Sequence, residues 1–146
     1  MKLSLSASQE AIDEAEKALG IIFPDDLKRI WLICNGLEYP QDWRIYPVFD
    51  RSKAKKCWGH IAEENRRCSY DHIQKDLLKI ASDSYGNHLT LRVIDGVAGE
   101  DIFTWNHETT RLRKSPITFA KIKARAERRI EAIEKKIARS MKRKRR

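Results

Sequence analysis

Long apolar runs are missing: no stretch of the 146 residues approaches the roughly 18 consecutive apolar positions that a membrane-spanning helix needs. Glycine (6) and proline (4) are too scarce for a collagen-like or low-complexity chain. Cysteine is scarce too, and 3 of them without an export signal point to reduced thiols rather than a disulfide framework. The opening MKLSLSASQEAIDEAEKALG has no apolar core and carries acids early, unlike a signal peptide. Catalytic signatures are also lacking, with no G-x-S-x-G, H-E-x-x-H, phosphate-binding loop or dinucleotide fingerprint. These absences lead to the expectation of a soluble, cytoplasmic protein that is not an enzyme and needs no cofactor. The 41% hydrophobic content is enough for a packed core.

The net charge of +9 is unevenly placed. Residues 119–146 hold 13 Lys/Arg against 3 Glu, a net of +10, which leaves residues 1–118 at −1. The chain therefore divides into a nearly neutral domain, 1–118, and a basic amphipathic helix or tail, 119–146.

Local patterns sketch the domain. Ser6 is a candidate N-cap with Gln9 completing a capping box, and Ala11, Ile12, Ala15, Ala18 and Leu19 follow at helical spacing up to Gly20. Pro24 suits the first position of a second helix, whose face is Leu27, Ile30, Trp31 and Cys34 and whose end is Asn35-Gly36. Leu37–Asp42 looks irregular. Trp43–Phe49 has strand composition, and Pro47 would confine it to a sheet edge. A short helix is expected near Ile61–Arg66. Strands at Leu77–Ser82, His88–Ile94 and Asp101–Asn106 follow, the second alternating Leu89, Leu91 and Val93 with polar residues. Ser115-Pro116 offers a cap for a last helix with a stripe of Ile122, Ala126, Ile130, Ile133, Ile137 and Met141. That stripe suits docking on the domain or pairing with itself. The fold class is α+β: an antiparallel meander with flanking N-terminal helices and a long basic C-terminal helix.

Three groups of residues invite chemistry. Cys57, His60, Cys68 and His72 are all zinc-ligand types, although the inner gap is short for a finger and packing explains the cysteines equally well. Asp83, His107 and Glu108 come from the ends of the meander; turn and cap roles compete there with acid–base use. Arg128, Arg129, Lys135, Lys136, Arg139, Lys142 and Arg143 in the tail would attract nucleic-acid phosphates or an anionic surface non-specifically. Phe119 is the last aromatic, so base stacking is not available to that tail.

Four strings, in order, resemble the SUKH superfamily, in its cell-wall-assembly-regulator (Smi/Knr-like) branch. They are Ile12-Asp-Glu-Ala-Glu-Lys-Ala-Leu-Gly20, Phe23-Pro-Asp-Asp-Leu27 with the Asn35-Gly36 helix end, Ile80-Ala-Ser-Asp-Ser-Tyr-Gly-Asn87, and Gly99-Glu-Asp-Ile-Phe-Thr-Trp-Asn-His107. The resemblance implies an antiparallel sheet with helices to one side, and a binding role. Many bacterial members are similar to immunity proteins that neutralise a toxin domain, often a nuclease; others are regulatory scaffolds. No catalytic set is carried over.

Interfaces favour aromatic residues in desolvated centres. The expected partner surface joins the turn 83–87 (Asp83, Tyr85, Asn87), the strand end 105–108 (Trp105, His107, Glu108) and the 43–46 edge (Trp43, Tyr46). Tyr85, in a turn, is the leading contact, whereas the helical register of Trp31 places it in the core.

Overall fold

A computed structural model describes residues 5–53, 59–66 and 76–145. Helix α1 (Gln9–Leu19) is capped by Ser8, not Ser6: the Ser8 side chain accepts from Ala11 N–H at 3.2 Å. Gln9 takes no part in that cap and donates to Asp13 instead. The reason for the shift lies 42 residues away. Asp50 Oδ2 accepts the Ser8 N–H at 2.8 Å, so a distant carboxylate completes the N-terminus. Gly20 ends the helix in the left-handed region (φ 65°), its N–H bonded to Glu16 O.

Helix α2 (Asp25–Ile33) begins one residue after Pro24, which occupies the cap position. Leu27, Ile30, Trp31 and Cys34 are all buried, as their spacing predicts. Trp31 Nε1 donates to Tyr46 O at 2.9 Å, and its ring meets Phe23 edge-on.

The sheet runs β1 (Glu38–Tyr39), β2 (Trp43–Ile45), β3 (Leu77–Ser82), β4 (His88–Ile94), β6 (Phe103–Trp105) and β7 (Leu112–Lys114), with β5 (Val97–Ala98) hairpinned onto the far end of β4. Every strand pairing is antiparallel. The central pair β3–β4 keeps the expected boundaries, as does α3 (Ile61–Arg66). Three expectations change. The strand from Trp43 stops at Ile45 and lies inside the sheet between β1 and β2's other neighbour β3, while Pro47 falls outside it. The strand expected at Asp101–Asn106 is shorter, and the stretches around Leu37–Asp42 and Gly99 contribute β1 and β5. β7 had no counterpart in the sequence pattern.

Two asparagines act as backbone surrogates where ladders stop. The Asn35 amide donates to Val48 O and accepts from Val48 N–H, both at 2.9 Å. Asn65 does the same for Lys79 at 2.8 Å, beside the irregularity between Lys79 and Ala81. These bonds satisfy backbone groups that the short strands leave unpaired.

The core lies between helices and sheet, with Ile12, Leu27, Ile30 and Trp31 packed with Leu78, Ile80, Leu89 and Leu91 in one cluster. Helix α4 (Phe119–Lys144) is capped by Thr118, whose side chain accepts from Lys121 N–H; Ser115 Oγ serves Ile117 N–H instead. Phe119, Ile122 and Ala126 are buried and α4 packs on α2. The first part of the tail is thus core. At 1.5 Å per residue α4 is about 39 Å long and α2 about 14 Å, so α2 covers roughly a third of it. Beyond Ala126 no described residue of α4 is buried.

Candidate protein-binding surface

The β3–β4 turn is held from within. Asp83 Oδ1 accepts from Tyr85 N–H and Asn87 N–H, both at 2.9 Å, and Oδ2 accepts from Asn87 Nδ2 at 3.0 Å. This is an Asx-type turn, with the side chain replacing a missing backbone partner. Gly86 makes it possible by adopting φ +88°; a Cβ there would also lie 3.4 Å from His107 Cγ.

A second turn abuts the first. Asn106 Oδ1 accepts from Glu108 N–H at 2.9 Å and Thr109 N–H at 3.1 Å. The two turns meet through Asn87 Oδ1, which accepts the His107 N–H at 3.1 Å and sits 3.0 Å from His107 Nδ1. Because Asn87 Nδ2 must face the Asp83 carboxylate, its oxygen must face His107. The ring therefore carries its proton on Nδ1 and presents Nε2 outward, 4.0 Å from Glu108 Oε1. Asp83 is engaged by its own turn and reaches His107 through Asn87. The geometry is that of a braced platform.

Tyr85 stands on this platform with 68% of its surface exposed. The β1–β2 hairpin flanks it: Ser84 and Arg125 join Gln41, Asp42 and Trp43 around a cleft of about 360 Å³. Gln41 and Asp42 both have positive φ (75° and 65°), which turns the hairpin sharply and leaves both exposed.

Five expected contact residues thus gather at one end of the sheet: Asp83, Tyr85, Asn87, His107 and Glu108. The three others are interior. Trp105 (3% exposed) packs over His88, with ring centroids 5.9 Å apart. Tyr46 (1% exposed) points its hydroxyl at His88 Nδ1, 3.4 Å away, and Trp43 is buried as well. Tyr46 and Trp105 both turn inward onto His88, and Trp43 is likewise buried, so these rings are interior and are not displayed.

Sequence reasoning passed over one apolar patch. Ile94 (71% exposed) and Val97 (48%) face each other across the Asp95-Gly96 turn, and Ile22 (56%) bridges to Val97. Two aliphatics flanking an Asp-Gly hairpin turn were the available signal. This patch lies at the opposite end of β4 from Tyr85.

Of the zinc-type residues, Cys57, Cys68 and His72 lie outside the described residues. His60 is occupied locally: it stacks on Phe49 and its Nδ1 accepts from Glu63 N–H at 3.3 Å, near the start of α3. In α4, Arg128, Lys135, Lys136, Arg139, Lys142 and Arg143 are exposed, whereas Arg129 also reaches back to the buried Cys34. Burial pushes the Cys34 thiol up, more than the neighbouring Arg129 charge and hydrogen bond lower it. No helix among the described residues is long and apolar enough to cross a membrane.

An α+β domain with a braced sheet end and a helix-covered core is the class that these features define. Residues 6–121 match the model of the SMI1 / KNR4 family (SUKH-1), and the chain belongs to that family. The match ends three residues into α4, where the helix is still part of the core. No curated protein and no solved structure matches the chain.

Proposed function

We propose that this chain is a non-catalytic protein-binding domain, and that it acts as an immunity protein which binds and neutralises a toxin domain. The observation that carries the binding reading is Tyr85: a large aromatic held in the open by a turn whose polar groups are already satisfied. Ordering it costs little on binding because the turn is preorganised, and tyrosine is enriched among interface hot spots. Glu108 in the adjoining turn and Asp42 in the hairpin that shares a cleft with Ser84 supply exposed acidic groups suited to a basic partner such as a nuclease domain. Family membership supports a binding role; a regulatory scaffold of cell-wall synthesis is the competing use of the same surface.

Co-expression separates the two. An immunity protein restores growth to cells expressing its toxin domain and co-purifies with it, and Tyr85→Ala weakens both effects. A domain that captures a cell-wall synthesis component and rescues no toxin is a scaffold instead.

A further inference from the structure

The outer face of α4 is a second surface, which meets the cleft beside the Tyr85 platform at Arg125. At 100° per residue, Lys121, Arg125, Arg128, Lys135, Arg139 and Lys142 fall within an arc of about 100°, opposite the buried Phe119, Ile122 and Ala126. All six are exposed, and they span about 32 Å along the helix. Glu131 engages Lys135 at 3.0 Å, and Lys121 Nζ donates to Pro116 O. Arg125, Arg128, Arg139 and Lys142 have no carboxylate partner among the described residues. Arg125 and Arg128, with Arg129 beside them, line one shallow concavity of about 450 Å³.

We propose that this ridge binds duplex nucleic acid along its phosphate backbone, without sequence preference. The length of the ridge matches about one turn of duplex, and its charges are fixed on a rigid helix at the spacing of one to two turns. A single strand is disfavoured because the face has no aromatic on which bases could stack. A bilayer is disfavoured by direction. The apolar residues that would insert, Ile133, Ile137 and Met141, lie on the same side of the helix as the domain packed on its first third, so a flat bilayer laid along them would run into the domain.

The test uses the full chain and a labelled DNA duplex of about 24 base pairs, with a second duplex of unrelated sequence and phosphatidylserine-containing vesicles as comparators. Six phosphate contacts predict a loss of about a thousandfold in affinity between about 50 and 200 mM salt, equal for both duplexes. The R125Q/R128Q/R139Q variant keeps three contacts, so its loss over that range should shrink to about fortyfold. Far-UV circular dichroism reports whether α4 stays folded, and R139Q alone should reduce the log–log salt slope by about one. Failure to bind either duplex at about 50 mM salt overturns the proposal. So does a salt slope unchanged by these substitutions, a marked preference for one duplex, or binding to vesicles but not to duplex. Arg139 lies outside the cleft beside Tyr85, which Arg125 lines, so R139Q leaves capture of a protein partner through Tyr85 unchanged and the two readings fail separately.

Discussion

Removing the Asp83 carboxylate should loosen the platform by a predictable amount. In Asp83→Ala three hydrogen bonds disappear, two from backbone N–H groups and one from the Asn87 amide. For half-exposed groups that water can re-solvate, each is worth about 0.5–1 kcal/mol, or about 2 kcal/mol together. A chain of 146 residues has an unfolding entropy near 0.3 kcal/mol/K, so the melting temperature should fall by about 6 °C. Asp83→Asn is the sharper variant. Its Oδ1 still accepts both backbone N–H groups, but its amide nitrogen now faces Asn87 Nδ2. Flipping Asn87 removes that clash but turns its NH2 toward the His107 N–H groups, so either the bond inside the first turn or the link between the turns is lost. The expected cost is about 1 kcal/mol, near 3 °C. Thermal unfolding followed by circular dichroism measures both. An Asp83→Ala shift below about 1 °C, or an asparagine variant worse than alanine, would refute the bracing argument.

Other regions make independent predictions. Ile122→Ala, at a position with no exposed surface, should cost about 2–5 kcal/mol in urea unfolding, because α4 begins as part of the core. A cost below about 1 kcal/mol would make that helix an appendage. Burial acts to raise the Asp50 pKa, but hydrogen bonds from Ser52 and Ser8 outweigh it and hold the group below its ordinary value of 3.8. The native state therefore binds fewer protons there than the unfolded chain. The stabilisation is present above the unfolded pKa and is lost as pH falls through the native one. Asp50→Asn should lower stability at neutral pH and flatten the acid limb of a stability–pH curve; an unchanged limb would contradict the assignment. Cys34, buried and with its thiol pKa raised, should escape maleimide labelling in the folded protein when sites are located by mass spectrometry. Rapid native labelling at Cys34 would show that α4 opens readily.

The legible parts of the fold were those whose cause is local. β4 announces itself by a period of two after an Asp-Ser-Tyr-Gly-Asn turn, β3 by a short apolar run before it, and α2 by an apolar face between Pro24 and Asn35-Gly36. The misplaced parts have distant causes. Ser8 outcompetes Ser6 as a cap because Asp50 closes on its N–H from 42 residues away. β1, β5 and β7 are two or three residues long, and only their neighbours' registers make them strands. Tyr46, Trp43 and Trp105 have the composition of interface residues, yet all three are buried, Tyr46 and Trp105 against a His88 that composition does not reveal as their partner. Tyr85 was legible because its turn offers no neighbour to cover a large ring.

The most direct measurement is the affinity of the captured protein partner for the wild-type chain, for Tyr85→Ala and for the Ile94→Ser/Val97→Ser double variant. Binding at the braced end of the sheet predicts a loss of tenfold or more for Tyr85→Ala, equivalent to about 1.4 kcal/mol, and little change for the double variant. Unaltered affinity in Tyr85→Ala with a large loss in the double variant would move the interface to the opposite end of β4 and contradict the account.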